Sequence, residues 1–208
     1  MSKRVSLAKI RCCFVTVKTP KAFDGDAPKY SVQLMVDKND PQIKAIQNTI
    51  VEVAKDYHGK DVKIASLKLP LRDGDTERDE AYYNNVWFIN ANKGPKKGEE
   101  VPSKPVVKGP MKEDIVTDEQ FDRYMYSGAY FNVIVSFYGF KGRQKGVACG
   151  LEGIMFAKDG ERLDGSLDAG SAFDDFADGE GDTFGDSDVP DTSNGVVSNE
   201  VDEDDTPW

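Results

Sequence analysis

One histidine, three cysteines and two tryptophans are all that 208 residues contain of these types, and no Lys or Arg follows Arg162. Cys12, Cys13, Cys149 and His58 cannot complete a conventional four-ligand zinc site unless carboxylates join them. Adjacent Cys12 and Cys13 point to opposite faces of a strand, so the thiols read as ordinary buried or half-buried groups of a reducing compartment. A Ser-His-Asp or Cys-His nucleophile would have to use His58, which stands beside Gly59 at a predicted helix end and reads more simply as a C-terminal cap. No apolar run approaches the ~20 residues of a membrane span, the first residues lack the apolar core of a signal peptide, and no Gly-rich phosphate loop is present. A cytosolic protein is expected, without membrane contact and without a cofactor. The hydrophobic fraction of 38% is low for a wholly globular chain, so part of it is expected not to fold.

The formal charge of −10 hides a division along the chain. Residues 163–208 carry fifteen Asp or Glu and no basic residue, whereas residues 1–162 hold all twenty-seven Lys and Arg against twenty-two acids, giving a body of +5 and an arm of −15. Like charges along the arm repel one another and seek a positive surface. Beyond Leu163 the composition of Gly, Ser, Asp and Glu with scattered Phe offers too little apolar surface to offset chain entropy, so a disordered tail is expected. A flexible chain of that length spans roughly 35–40 Å, enough to cover most of a small barrel.

Five strands are predicted in the body. Residues 5–17 are rich in β-branched side chains and end at Thr19-Pro20. In 30–36, Tyr30, Val32, Leu34 and Val36 share one face. Further strands are expected over 86–91, 129–140 and 147–156, the last two joined by a basic hairpin connection at 139–146. Ile43, Ile46, Ile50, Val53, Ala54 and Tyr57 recur at helical spacing after Asn39-Asp40-Pro41 and stop at Gly59, and Thr117 or Asp118 caps a short helix over 119–126. Residues 93–110 are expected to be mostly loop. These elements fit a mainly β protein, a single five-stranded Greek-key barrel of the OB type over 1–162 with an inserted helix and long loops, followed by the tail at 163–208; a β-sandwich is the alternative.

Binding a single strand without sequence preference needs cations along the phosphate path and exposed rings on which bases stack, at about 1–3 kcal/mol per base. Both are interleaved here. Lys3, Arg4, Lys9 and Arg11 lie on the first strand; Arg72 stands near Tyr82, Tyr83, Trp87 and Phe88; Lys93, Lys96, Lys97 and Lys104 fall in the long loop; and Tyr138, Phe140, Lys141, Arg143 and Lys145 mark the last hairpin. Phe131 and Phe137 alternate with Val133 and Val135 as core, while Tyr130, Tyr138 and Phe140 share the opposite face, either a binding surface or a second packed layer. Trp87 and Phe88 must point opposite ways in a strand. The arm ends in Asp202, Glu203, Asp204 and Asp205 before Trp208, an anionic run with a terminal ring that can imitate phosphates and a base or dock on another protein.

The segments Leu69-Pro70-Leu71-Arg72-Asp73-Gly74-Asp75, Phe88-Ile89-Asn90-Ala91-Asn92, Ser127-Gly128-Ala129-Tyr130 and Gly150-Leu151 resemble those of phage-encoded single-stranded DNA-binding proteins used in replication and recombination. The resemblance spans roughly residues 3–165, and the acidic tail ending in an aromatic is shared with that functional class. It implies an OB fold, binding without strong sequence preference, no catalysis, a place in the cytoplasm of a bacterial host, and tail contacts with a polymerase, helicase or primase. RNA and duplex DNA remain open as ligands. Two rival readings are a metal-dependent nuclease using Asp73, Asp75, Glu77, Asp79 and Glu80, which lacks the Gly of a calcium loop because Arg78 stands there, and a protein-interaction or DNA-mimic module acting through the tail alone.

Overall fold

The computed structural model describes residues 2–22 and 25–163; the acidic segment from 164 onward, with the expectation of disorder attached to it, lies outside the described residues. Seven strands, β1 (Ser2–Lys21), β2 (Lys29–Asp37), β3 (Leu71–Asp73), β4 (Val86–Lys93), β5 (Val106–Lys108), β6 (Tyr130–Lys141) and β7 (Lys145–Lys158), form one sheet in the order β3-β4-β2-β1-β6-β7-β5. Parallel pairing of Ala91 with Cys149 and Asn92 with Gly150 joins β4 to β7 and closes β1, β2, β4, β6 and β7 into a barrel. That is the OB-type Greek key, all antiparallel except at the closure. Two short strands decorate it: β3 extends the β4 edge and β5 runs parallel beside β7. β5 lies within the stretch expected to be loop; two valines and a lysine there find an unpaired edge to complete.

The length of β1 is the main departure from the sequence reading. It serves two partners, β6 through residues 2–11 and β2 through 11–21. Register shifts interrupt it between Leu7 and Ile10, between Cys13 and Thr16 and between Thr16 and Lys21, and Lys9 and Phe14 take left-handed backbone angles (φ 53° and 50°) at the first two. An extra residue in one strand bends it and increases its twist, which lets a single strand turn the barrel corner.

Between β2 and β3, α1 (Gln42–His58) buries Ile43, Ile46, Ile50, Val53 and Ala54 against β6 and the flanking β1 and β7. Each of the three isoleucines and the valine contributes about 1.5–3 kcal/mol by leaving water. The Asp40 carboxylate accepts from the Gln42 N–H (2.8 Å) ahead of the first turn. A second helix, α2 (Gly74–Glu77), is one turn long, and α3 (Asp118–Tyr124) starts with a capping box in which Thr117 and Gln120 exchange side-chain and backbone bonds.

The main core fills the barrel with interior rungs such as Cys12, Leu34 and Ile89. A smaller apolar cluster of Cys13, Met35, Tyr83 and Phe88 lies on the outer face of β1, β2 and β4, where the 3₁₀ turn Ala81–Tyr83 folds over it. Leu163 packs against this cluster and its N–H donates to the Ser127 carbonyl (2.9 Å), so the described fold continues at least to that residue.

The Arg72-Asp73-Gly74-Asp75 segment proves to be a structural corner. Lys38 bridges the carboxylates of Asp73 (2.5 Å) and Asp75 (2.6 Å), and Asp75 also accepts from the Asn85 N–H (2.8 Å). These contacts lower the Asp75 pKa, chiefly through the Lys38 bond, and raise that of Lys38. Gly74 packs so closely that a Cβ would lie 2.4 Å from the Tyr83 carbonyl oxygen and 2.7 Å from that of Val86. Because both obstacles are backbone, Gly74→Ala is expected to destabilise the fold by about 1–3 kcal/mol, measured as a lowered melting temperature.

Candidate nucleic-acid interface

Directly paired residues of adjacent strands share a face. On the outer face of β4, β2 and β1 one rung is Phe88, Met35 and Arg11, the next is Asn90, Gln33 and Cys13, and the next is Asn92, Ser31 and Thr16; Lys29 and Lys21 follow at the open end. The first rung belongs to the smaller apolar cluster. The later rungs are polar and form the floor of an open groove of about 970 Å³, whose walls include Phe14, Lys21, Lys29 and Arg78.

Phe14 is 58% exposed, the groove's large accessible ring, and its φ of 50° comes from the β1 bulge. Left-handed backbone is uncommon for a bulky residue and costs of order 1 kcal/mol, supplied here by the barrel pairings on both sides. Arg78 spreads its guanidinium over Tyr83 (5.6 Å) and Phe88 (5.4 Å), covering the outer cluster with a cation at the groove's edge. Among the described residues Arg78 and Lys21 have no carboxylate within 4 Å, and Lys29 has only Asp26 at 3.4 Å. None of Phe14, Lys21, Lys29 and Arg78 was among the residues singled out from sequence as binding residues. Phe14 alone carried a signal, a large apolar residue breaking the alternation of a strand.

The residues expected to bind divide into three groups. Several cations are engaged: Lys3 with Glu52 (2.9 Å) and Asp56 (3.3 Å) on α1, Arg72 with Glu77, and Lys93 with Glu152 (3.7 Å). Arg11 donates to the Gly128 (3.3 Å) and Glu161 (3.1 Å) carbonyls and meets the Glu161 carboxylate, holding the segment after β7 against the barrel. That segment passes Gly128, at φ 109°, so closely that a Cβ there would meet the Glu161 oxygen at 1.9 Å.

Two aromatics are structural. Tyr83, expected to offer its ring, is 1% exposed in the outer cluster, a correction that follows from the turn 81–83 tucking the side chain inward. Trp87 is half-buried against the main core with Lys38 over its ring at 5.1 Å, and Phe88, fully buried, faces the other way.

The rest are accessible. Arg4, Lys9, Lys96, Lys97, Lys141, Arg143 and Lys145 are exposed, their side chains without an ion pair among the described residues, and Tyr138 is 42% exposed with Phe140 half-buried. Lys96 and Lys97 follow Asn92 in the loop leaving β4. Lys141, Arg143 and Lys145 instead lie at the hairpin between β6 and β7, which meets the end of α1 where Lys141 lies over Tyr57 (5.5 Å) and the His58 ring bonds the Gly146 carbonyl (2.9 Å); none of them lines the groove. Lys104 covers Phe121 at 4.6 Å.

The acids of the nuclease reading do not converge. Asp73 and Asp75 are held by Lys38 and Glu77 by Arg72, and among the described residues no three His, Cys, Asp or Glu gather as metal ligands. Burial drives all three thiols above their ordinary pKa, Cys13 to about 11. No described helix is long and apolar enough to cross a membrane.

A closed OB-type barrel with a ring, three cations and a row of amide and hydroxyl groups along one outer face defines the oligomer-binding class of this fold. The chain belongs to the family of the Enterobacter phage Enc34 ssDNA-binding protein, whose model matches residues 3–184. It is 29% identical over 172 residues to putative protein p50 of Acyrthosiphon pisum secondary endosymbiont phage 1, covering 78% of this chain and 87% of that one. The solved single-stranded DNA-binding protein of bacteriophage Enc34 in complex with ssDNA shares the fold with a TM-score of 0.65 at 22% identity, over 77% of this chain and 89% of that chain. Gp2.5 of bacteriophage T7, a single-stranded DNA-binding protein, does so with a TM-score of 0.53 at 15% identity, over 79% and 97%.

Replacing Trp87 by Ala is expected to cost about 2–4 kcal/mol of stability, less than a fully buried ring, while the folded fraction keeps its affinity for oligonucleotides. Melting and binding curves on the same variant check this.

Proposed function

We propose that the barrel binds single-stranded DNA, without catalysis and without strong sequence preference, along the outer face of β1, β2 and β4 during phage DNA replication or recombination. Phosphates lie against Lys21, Lys29 and Arg78, with Lys96 and Lys97 at the rim, and a base stacks on Phe14. The observation that carries this reading is Phe14 itself, an exposed ring held in a left-handed bulge at the wall of a polar, cation-flanked groove. Membership of a family named for a phage ssDNA-binding protein supports it. Arg4, Lys9, Lys141, Arg143 and Lys145 act more weakly, as a general attraction for the strand.

The acidic arm has the finer role. Its charge of −15 competes with the strand for the cations of the +5 body, and Asp202, Glu203, Asp204, Asp205 and Trp208 recruit a replication polymerase, helicase or primase.

Phe14→Gly is the discriminating variant, because glycine suits the local backbone while removing the ring. Expected is a loss of about 1–3 kcal/mol of single-strand affinity in fluorescence anisotropy with little change in melting temperature. Unchanged affinity in the folded variant removes the stacking role.

Affinity should fall with salt, and three phosphate contacts alone give a slope of about −2 in log affinity against log salt, at about −0.7 each. Reversing Lys21 and Lys29 to Glu should flatten the slope more than reversing Arg143 and Lys145.

Truncation after Leu163, which preserves the contacts of that residue, should tighten binding most at low salt, where charge is least screened. A truncated protein with no affinity for single strands would favour the interaction-module reading instead.

A further inference from the structure

Beneath the groove lies a hydrogen-bond relay that the binding reading does not use. Gln33, on β2, is 4% exposed. Its Oε1 receives two donors from the outer cluster, the Tyr83 hydroxyl and the Cys13 thiol (3.1 Å). Its Nε2 donates to Asn90 Oδ1 across the β2–β4 pair (2.8 Å).

The orientation of both amides follows from the buried end. A reversed Gln33 would turn its NH₂ toward the phenol and thiol, leaving those two groups only their long mutual contact at 4.0 Å, which can use the proton of one and strands that of the other. Stranding a buried donor forfeits its hydration with no bond in return. Burial also pushes the Tyr83 phenol well above its ordinary pKa, so it stays a donor at every working pH. With Gln33 fixed, Asn90 must present Oδ1 inward, and its Nδ2 faces the groove with no partner among the described residues.

We infer that Asn90 is a specificity-determining residue that offers only N–H donors to the bases, with Gln33 and Tyr83 as positioning residues that forbid its reversal. This rests on the single-strand binding proposed above. A donor-only group is matched by a base with adjacent acceptors. Cytosine places O2 beside N3, whereas thymine interposes N3–H between its two carbonyls. The two rings are of equal size, so stacking on Phe14 largely cancels between them. Within generally unselective binding, cytosine tracts are therefore preferred over thymine tracts.

The test compares labelled dC and dT oligomers of equal length by anisotropy at pH 8, on the full chain and two variants. The unaltered protein should bind the dC oligomer about fivefold more tightly, the low end for one well-made base contact. Tyr83→Phe keeps the ring but leaves only the Cys13 thiol to hold Gln33, and the ratio should fall. Gln33→Glu, whose carboxylate the Tyr83, Cys13 and Asn90 donors favour in its ionised form at this pH, provides only acceptors, so the Tyr83 hydroxyl still donates while Asn90 must turn its NH₂ inward and present Oδ1 to the groove; the preference should vanish or reverse toward thymine, whose N3–H can donate.

A purely structural role for these residues would lower both affinities together, or the melting temperature, without moving the ratio. Equal affinities in the unaltered protein, or a dC/dT ratio unmoved by Gln33→Glu, overturns the relay. Failure to bind either oligomer overturns the single-strand reading itself, a distinguishable result.

Discussion

The path of β1 constrains everything else in this molecule. One strand of 20 residues pairs with β6 by its first half and β2 by its second. A regular strand cannot serve both without splaying the barrel, so the chain bends at irregularities and, at two of them, places Lys9 and Phe14 in left-handed conformations. Closure by β4 and β7 then becomes possible, and the same bend that closes the barrel turns the Phe14 ring out over the groove. The cost of the left-handed residue and the accessibility of its ring are two consequences of one geometric demand.

A second layer of organisation grows from the outer face. Tyr83, Phe88, Met35 and Cys13 form a small core outside the barrel, sealed by the turn 81–83 and capped by Arg78. This patch anchors the corner built from Lys38, Asp73 and Asp75, and it supplies the buried donors that orient Gln33 and Asn90. Packing and polar recognition thus meet at one boundary: the apolar rung of the outer face ends where the amide rung begins.

Some of this was legible in the sequence. The helical repeat from Ile43 to Ala54 and the alternation in β6 located main elements, because burial on one side of a periodic element leaves its period in the residue types. The corner at Arg72-Asp73-Gly74-Asp75 was visible as a motif, but its meaning was not. Lys38, which gives it purpose, is 35 residues away from Asp73. For the same reason Lys3, Arg11 and Lys93 looked like available cations: a charge is local in the chain, whereas its carboxylate partner is brought up by the fold.

By itself, then, the sequence determined the class of architecture, the division of charge between body and arm, and the kinship with phage single-strand binders, since periodicity, composition and motif are properties of neighbouring residues. Only the tertiary structure decided which face is open. Strand pairing sets Asn90 beside Gln33, folding of the turn 81–83 hides Tyr83, and the bulge in β1 exposes Phe14. Each depends on contacts between segments distant in the chain, and those are fixed by side-chain patterns matched across strands and by closure of the barrel, not by any one segment.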